Sequence, residues 1–208
     1  GEAPLAINAK RLRDSLIQLS RFGPHPEGGA LRLAFSKEEL AARNWITREM
    51  ESAGLTVSVV SVGGAHCYSV AADLPGITEV RAGRYPLMDV RLKEHLPQLT
   101  QAAYVLATVV SHPVDGIAVL DAGHKAVGPD QGPPMLHGPV GAKATRFSAE
   151  HGIVELEGDA RRGLSPGDKA WLAPYELATC VNQYDYIRAV QGGKLEGFWP
   201  LSARGRFA

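Results

Sequence analysis

Beyond Gly63-Gly64 the sequence breaks into short β-prone runs punctuated by Gly, Pro and Asp, and that texture limits what the chain can fold into. The runs Tyr104–Ser111, Gly116–Leu120, Gly152–Leu156, Ala170–Leu172 and Tyr186–Gln191 are strand-length, and turn residues bound them. Several such runs in succession predict a barrel or sandwich. Between them, Gly128–Gly141 holds four prolines and four glycines, which predicts an unusually long loop.

The first third has a different period. Asn8 predicts the cap of a helix whose Leu12, Leu16 and Leu19 share a face, ended by the Phe22–Gly29 stretch. Ser36 with Glu39 three residues on is a capping box, followed by the stripe Ala42, Trp45, Ile46, Met50 and Ala53, with Gly54 as the left-handed stop. Leu55–Val60 alternates and is β-branched, so it predicts a strand. The expected class is therefore α+β: a short helical N-terminal segment, residues 1–60, ending in a strand, then a β-rich barrel or sandwich domain, residues 61–208.

Composition excludes several functions. Lys plus Arg and Asp plus Glu balance at 22 each, so no bulk field draws the chain to nucleic acid or an anionic membrane, and neither partner is expected. The apolar run Tyr104–Val110 is too short to span a bilayer, and the N-terminus has no secretory pattern. Cys67 and Cys180 form neither a disulfide framework nor a zinc-finger spacing, which favours a reducing, cytoplasmic compartment.

Two resemblances follow from motifs. Ile7–Leu12, Gly28–Ser36 and Ala42–Trp45, within residues 7–55, resemble the opening of the zinc-dependent amidohydrolases that cleave N-carbamoyl amino acids and allantoate. The Gly-Ser-His-x-Asp metal segment of those enzymes does not follow here. From about residue 60 to 208, Val59–Gly64, Gly76–Tyr85 with Asp89, Val105–Ser111, Asp121–Lys125, Glu150–Gly152, Pro166–Asp168 and Ala203–Arg206 resemble successive landmarks of the C-terminal part of D-threonine aldolase and D-serine dehydratase. That resemblance implies an alanine racemase-like architecture. In it an N-terminal barrel holds pyridoxal phosphate on a lysine, and a β domain closes the site, typically across a homodimer.

The resemblance also names candidate site residues. A metal beside the cofactor, zinc or manganese, is implied by a Pro-x-His-x-Cys segment, matched here by Pro174–Asp185 with Glu176 and Ala178 at the two ligand positions. Glu can ligate and Ala cannot, so Glu176 and Cys180 are the remaining metal candidates, with a buried thiol as the alternative for Cys180. On a strand, Cys180 would share a face with Ala178 about 6.6 Å away. Gly63 and Gly64 match a phosphate-binding loop, with Ala65 in place of its hydroxyl residue, while the residues by themselves favour a plain turn. Asp121, His124, Lys125 and His151 are candidate cleft-lining residues, and no catalytic residue is assigned. Trp171 and Trp199 are expected in the core or at its edge.

No lysine is expected at an early barrel strand, so no cofactor is assigned with certainty. The expected function is a β domain inactive alone, partnered by a barrel-bearing polypeptide or a second copy. The alternatives are an amidohydrolase fragment and a non-catalytic oligomerisation module.

Overall fold

The computed structural model describes residues 7–206, which fall into two compact units, one running to Val60 and the other starting at Ser61.

In the first unit, α1 (Ala9–Ser20) starts where Asn8 accepts the Arg11 N–H at 2.9 Å. The helix α2 (Lys37–Ser52) starts at Ser36, whose hydroxyl accepts the Glu39 N–H at 3.2 Å. Only half of the capping box forms. The Glu39 carboxylate turns away from the Ser36 N–H to pair with Arg43 at 2.7 Å, and that N–H donates to the Leu33 carbonyl instead. Gly54, at φ +81°, ends the helix as its position required.

The strand expected over Leu55–Val60 does not form. Pairing begins one residue later, at β1 (Ser61–Gly63), which runs parallel to β2 (Glu79–Arg81) with Val62 opposite Val80. β propensity supplies side chains suited to a sheet, but a strand exists only where a neighbour accepts its hydrogen bonds. The connection between them includes a 3-10 turn over Ala65–Cys67 and α3 (Tyr68–Ala72), as a parallel pair requires a crossover. Then α4 (Val90–Lys93) carries Leu92 into a small cluster with Ala65, Met88 and Leu96.

The main body is a six-stranded antiparallel sheet. Its strands are β3 (Val105–Val114), β4 (Ile117–Leu120), β5 (Met135–His137), β6 (Ala142–Phe147), β7 (Gly152–Leu156) and β8 (Lys169–Ala173). The order is β5-β8-β3-β4-β7-β6, and the end strands β5 and β6 return beside each other, so the sheet nearly closes into a barrel. Alternation explains the core: Ala118 and Leu120 on β4, Val154 and Leu156 on β7, and Ala170 and Leu172 on β8 point inward. Of the thirteen buried residues of this core, seven are Val or Leu and six are alanines that fill the narrow remainder.

Two expectations need correction. Gly128–Gly141 is not one long loop, because it contains a 3-10 turn, Pro129–Gln131, and β5. Trp171 and Trp199 are 43% and 60% exposed: the first falls on the outward phase of β8, and the second lies on a two-stranded hairpin outside the barrel. Outside the barrel, α5 (His124–Val127) follows β4, and α6 (Leu177–Val181) follows β8. A separate hairpin joins β9 (Tyr186–Gln191) to β10 (Lys194–Pro200).

Candidate functional site

The strongest concentration of buried polar chemistry lies where residues 84–91 meet the segment after β8. Asp89 is fully buried and caps α4, its Oδ1 accepting the Leu92 N–H at 2.8 Å. Its Oδ2 accepts the Leu177 N–H at 3.1 Å and an Arg84 Nη1–H at 2.8 Å. Arg84 Nη1 also donates to Glu176 Oε1 at 3.0 Å. Backbone bonds from Val90 to the Pro174 carbonyl, 3.0 Å, and from Arg91 to the Tyr175 carbonyl, 3.2 Å, stitch the two segments together. Before Asp89, the fully buried Met88 adopts φ +59°, a left-handed conformation that is strained for a bulky side chain. Gln101 holds that turn by donating to the Met88 carbonyl at 3.1 Å.

Glu176 is the N-cap of α6. Its Oε2 accepts the Thr179 N–H at 2.9 Å and the Thr179 hydroxyl at 3.1 Å. The strand expected here is thus a helix, and Ala178 and Cys180 lie roughly 200° apart around it rather than on one face. Cys180 is buried, with its Sγ 3.6 Å from the Ala126 carbonyl, and burial pushes its thiol up to about 12. A thiol turned toward the Ala126 carbonyl and a carboxylate engaged on both oxygens are a poor donor set for zinc. Among the described residues no three His, Cys, Asp or Glu side chains converge to hold a metal.

The Asp121–Lys125 turn is pinned from both sides. Asp121 accepts the Thr108 N–H at 2.6 Å. The His124 and Lys125 N–H groups donate to the Ser148 and Ala149 carbonyls at 2.9 and 3.2 Å. Gly123 is required by that approach, because a Cβ there would lie 2.3 Å from the Ser148 carbonyl oxygen. The Lys125 ammonium pairs with Glu150 and, foremost by that hydrogen bond, holds its carboxyl below the usual carboxylate range. His124 stacks edge-on against Phe147, and its Nδ1 lies 3.6 Å from Asp130. His151 gives its backbone N–H to the Ser148 hydroxyl at 3.1 Å. The Tyr184 hydroxyl donates to the Ala126 carbonyl at 2.8 Å, which ties the turn's helix to the chain beyond α6.

The Gly63-Gly64 loop does not form a complete phosphate cradle. The Gly64 N–H donates to the Arg81 carbonyl at 2.9 Å, and the Cys67 N–H to the Gly64 carbonyl at 3.2 Å. The His66 ring covers the loop, 2.6 Å from where a Gly64 Cβ would sit. Among the lysine amines, Lys125 is engaged by Glu150, Lys93 by the Pro97 and Leu99 carbonyls, and Lys169 by Thr108. Sequence reasoning used Asp89 only as a landmark and passed over Arg84. The available signal was an acid between Met88 and Val90, three residues before Leu92, which is an N-cap pattern.

A nearly closed antiparallel barrel after a parallel pair defines the class as alanine racemase-like, and an alanine racemase-like protein from Idiomarina loihiensis has this fold, with a TM-score of 0.67, 21% identity, and coverage of 79% of this chain and 49% of that one. Residues 102–190 match the putative serine dehydratase domain. The 3-hydroxy-D-aspartate aldolase of Paracoccus denitrificans (strain Pd 1222) is 33% identical over 166 residues, 76% of this chain and 42% of that protein. The D-threonine aldolase of an Arthrobacter species is 30% identical over 160 residues, 75% of this chain and 42% of that protein. The crystal structure of D-threonine aldolase from Filomicrobium marinum superposes with a TM-score of 0.75 at 27% identity, covering 82% of this chain and 48% of that one. A cysteine-to-alanine variant of D-threo-3-hydroxyaspartate dehydratase, solved in the metal-free form, gives 0.67 at 26% identity over 79% and 49%.

The chain is therefore a homologue of the D-threonine aldolases and hydroxyaspartate aldolases and dehydratases, with residues 102–190 matching a putative serine dehydratase domain. It spans about two fifths of the length of these curated relatives. The likeness of residues 7–55 to amidohydrolases is not borne out. The D-threonine aldolase match covers more of the chain than the unit from Ser61 onward provides, so it extends into the helical unit.

Proposed function

We propose that the chain supplies the β domain of a pyridoxal phosphate-dependent D-amino acid aldolase or dehydratase and turns over no substrate by itself. The observation that carries this reading is its homology to aldolases over two fifths of their length, together with a parallel pair that has no further strand neighbour among the described residues. Pyridoxal phosphate, when bound, supplies an electron sink for cleavage beside the amino carbon, and it needs a lysine and an anion cradle. The described loop at Gly63-Gly64 offers no complete anion cradle, and neither strand of the parallel pair carries a lysine.

The partner this reading calls for is a barrel-bearing polypeptide, joined to this chain or separate. A homo-oligomer of the described unit alone would leave the cofactor lysine unsupplied. Asp121, His124, Lys125 and His151 then belong to the wall facing that barrel, and the two free cysteines suit a reducing cytoplasm. The test is incubation of the purified chain with pyridoxal phosphate and either D-threonine or D-serine. The reading predicts no lysine-bound cofactor absorbance and no product. Stoichiometric cofactor binding with turnover would overturn it.

A further inference from the structure

We infer that Arg84 supplies, as a fixed guanidinium, the positive charge that a metal ion supplies in a metal-holding relative, so that this chain takes no divalent cation at Glu176. The inference rests on the aldolase and dehydratase reading for that comparison alone. Four carboxylate oxygens converge here, and each already has a partner. Asp89 Oδ1 accepts from Leu92, and Oδ2 from Leu177 and Arg84. Glu176 Oε1 accepts from Arg84, and Oε2 from Thr179.

One guanidinium nitrogen therefore bridges the two acids, at 2.8 and 3.0 Å. That is the electrostatic task of a cation between carboxylates, performed by hydrogen bonds instead of coordination bonds of about 2.0–2.2 Å. The ligand set points the same way. Position 178 is an alanine, with no donor atom. Cys180 cannot stand in, because its sulfur faces the Ala126 carbonyl on another side of α6. A metal ion here would also meet Arg84, a charge of its own sign.

The experiment uses the full chain, dialysed against a chelator and titrated with zinc or manganese chloride, with elemental analysis and thermal melting as readouts. The expected result is no stoichiometric metal and an unmoved melting midpoint. One equivalent of zinc per chain, lost in Glu176→Gln, would overturn the inference, whether or not the chain turns over an amino acid. The role of the charge is read from Arg84→Ala, which should melt several degrees lower and regain at least half of that loss in millimolar methylguanidinium, with no such gain in the unsubstituted chain. An Arg84→Ala protein that melts with the unsubstituted chain, or gains nothing from methylguanidinium, contradicts it. Should that variant fail to fold, Arg84→Lys keeps a positive charge and should lose fewer degrees than Arg84→Met; equal losses count against the inference.

Discussion

The six-stranded sheet carries β-branched and apolar residues along every strand while the β1–β2 pair has one valine in each, Val62 and Val80, and only the sheet completes itself. In the sheet every strand except the end ones has two neighbours, and the end strands approach each other, so inward residues such as Leu120, Val154 and Leu172 have no exposed surface. In the pair, the three residues of each strand have no further strand neighbour among the described residues, and the side chains there are half-buried or exposed. Burial separates the two regions. The small cluster of Ala65, Met88, Leu92 and Leu96 is flanked by polar clamps, Arg84 on Asp89 and Gln101 on the Met88 carbonyl.

That contrast can be broken most sharply by truncation. Leu172→Ala should cost about 2–5 kcal/mol in chemical denaturation, whereas Val62→Ala in β1 should cost less than about 1 kcal/mol. Similar losses at both would show that the pair shares the barrel's core. Asp89→Ala removes the acceptor of two backbone N–H groups and one partner of Arg84. A loss of about 2–3 kcal/mol is expected, below the full cost of breaking a buried pair because Arg84 keeps a third of its surface in water. Circular dichroism melts of Asp89→Ala and Asp89→Asn should place the latter between it and the unsubstituted chain.

Gly123→Ala should destabilise by about 1–3 kcal/mol, because the new methyl meets two backbone carbonyls that cannot move independently. Gly76→Ala is the informative control: its φ of +81° strains an alanine, but nothing crowds the added atom. The smallest effect is in alkali. Burial raises the Cys180 thiol and the Tyr184 phenol to about 12, the Cys180 charge adding to the latter. The folded state holds those protons more tightly than the unfolded chain, so this contribution is whole below about pH 9 and is lost as pH rises toward 12. Cys180→Ala should flatten that decline in urea midpoints measured across the same range.

Where hydrogen-bond signals were local, the sequence was readable. Asn8, Ser36 and Gly54 set helix ends within their own turn, and Gly152–Leu156 and Tyr186–Gln191 became strands with the expected bounds. Short strands that depend on a distant partner were not legible: Met135–His137 exists because β8 lies beside it, and Glu79–Arg81 because β1 does. Glu176 shows the same limit within the site. Its residue type suits a metal, but its partner Arg84 stands 92 positions away, and no spacing rule joins them. The outward phase of Trp171 was equally hidden, since it follows from the register with Leu106 on β3.

Native-state hydrogen exchange read by mass spectrometry tests the central contrast directly. Amides of β3, β4, β7 and β8 should exchange only by global unfolding, while those of β1 and β2 exchange faster by local opening. Equal protection in both regions would contradict the account, because it would make the parallel pair an integral part of the same cooperative core.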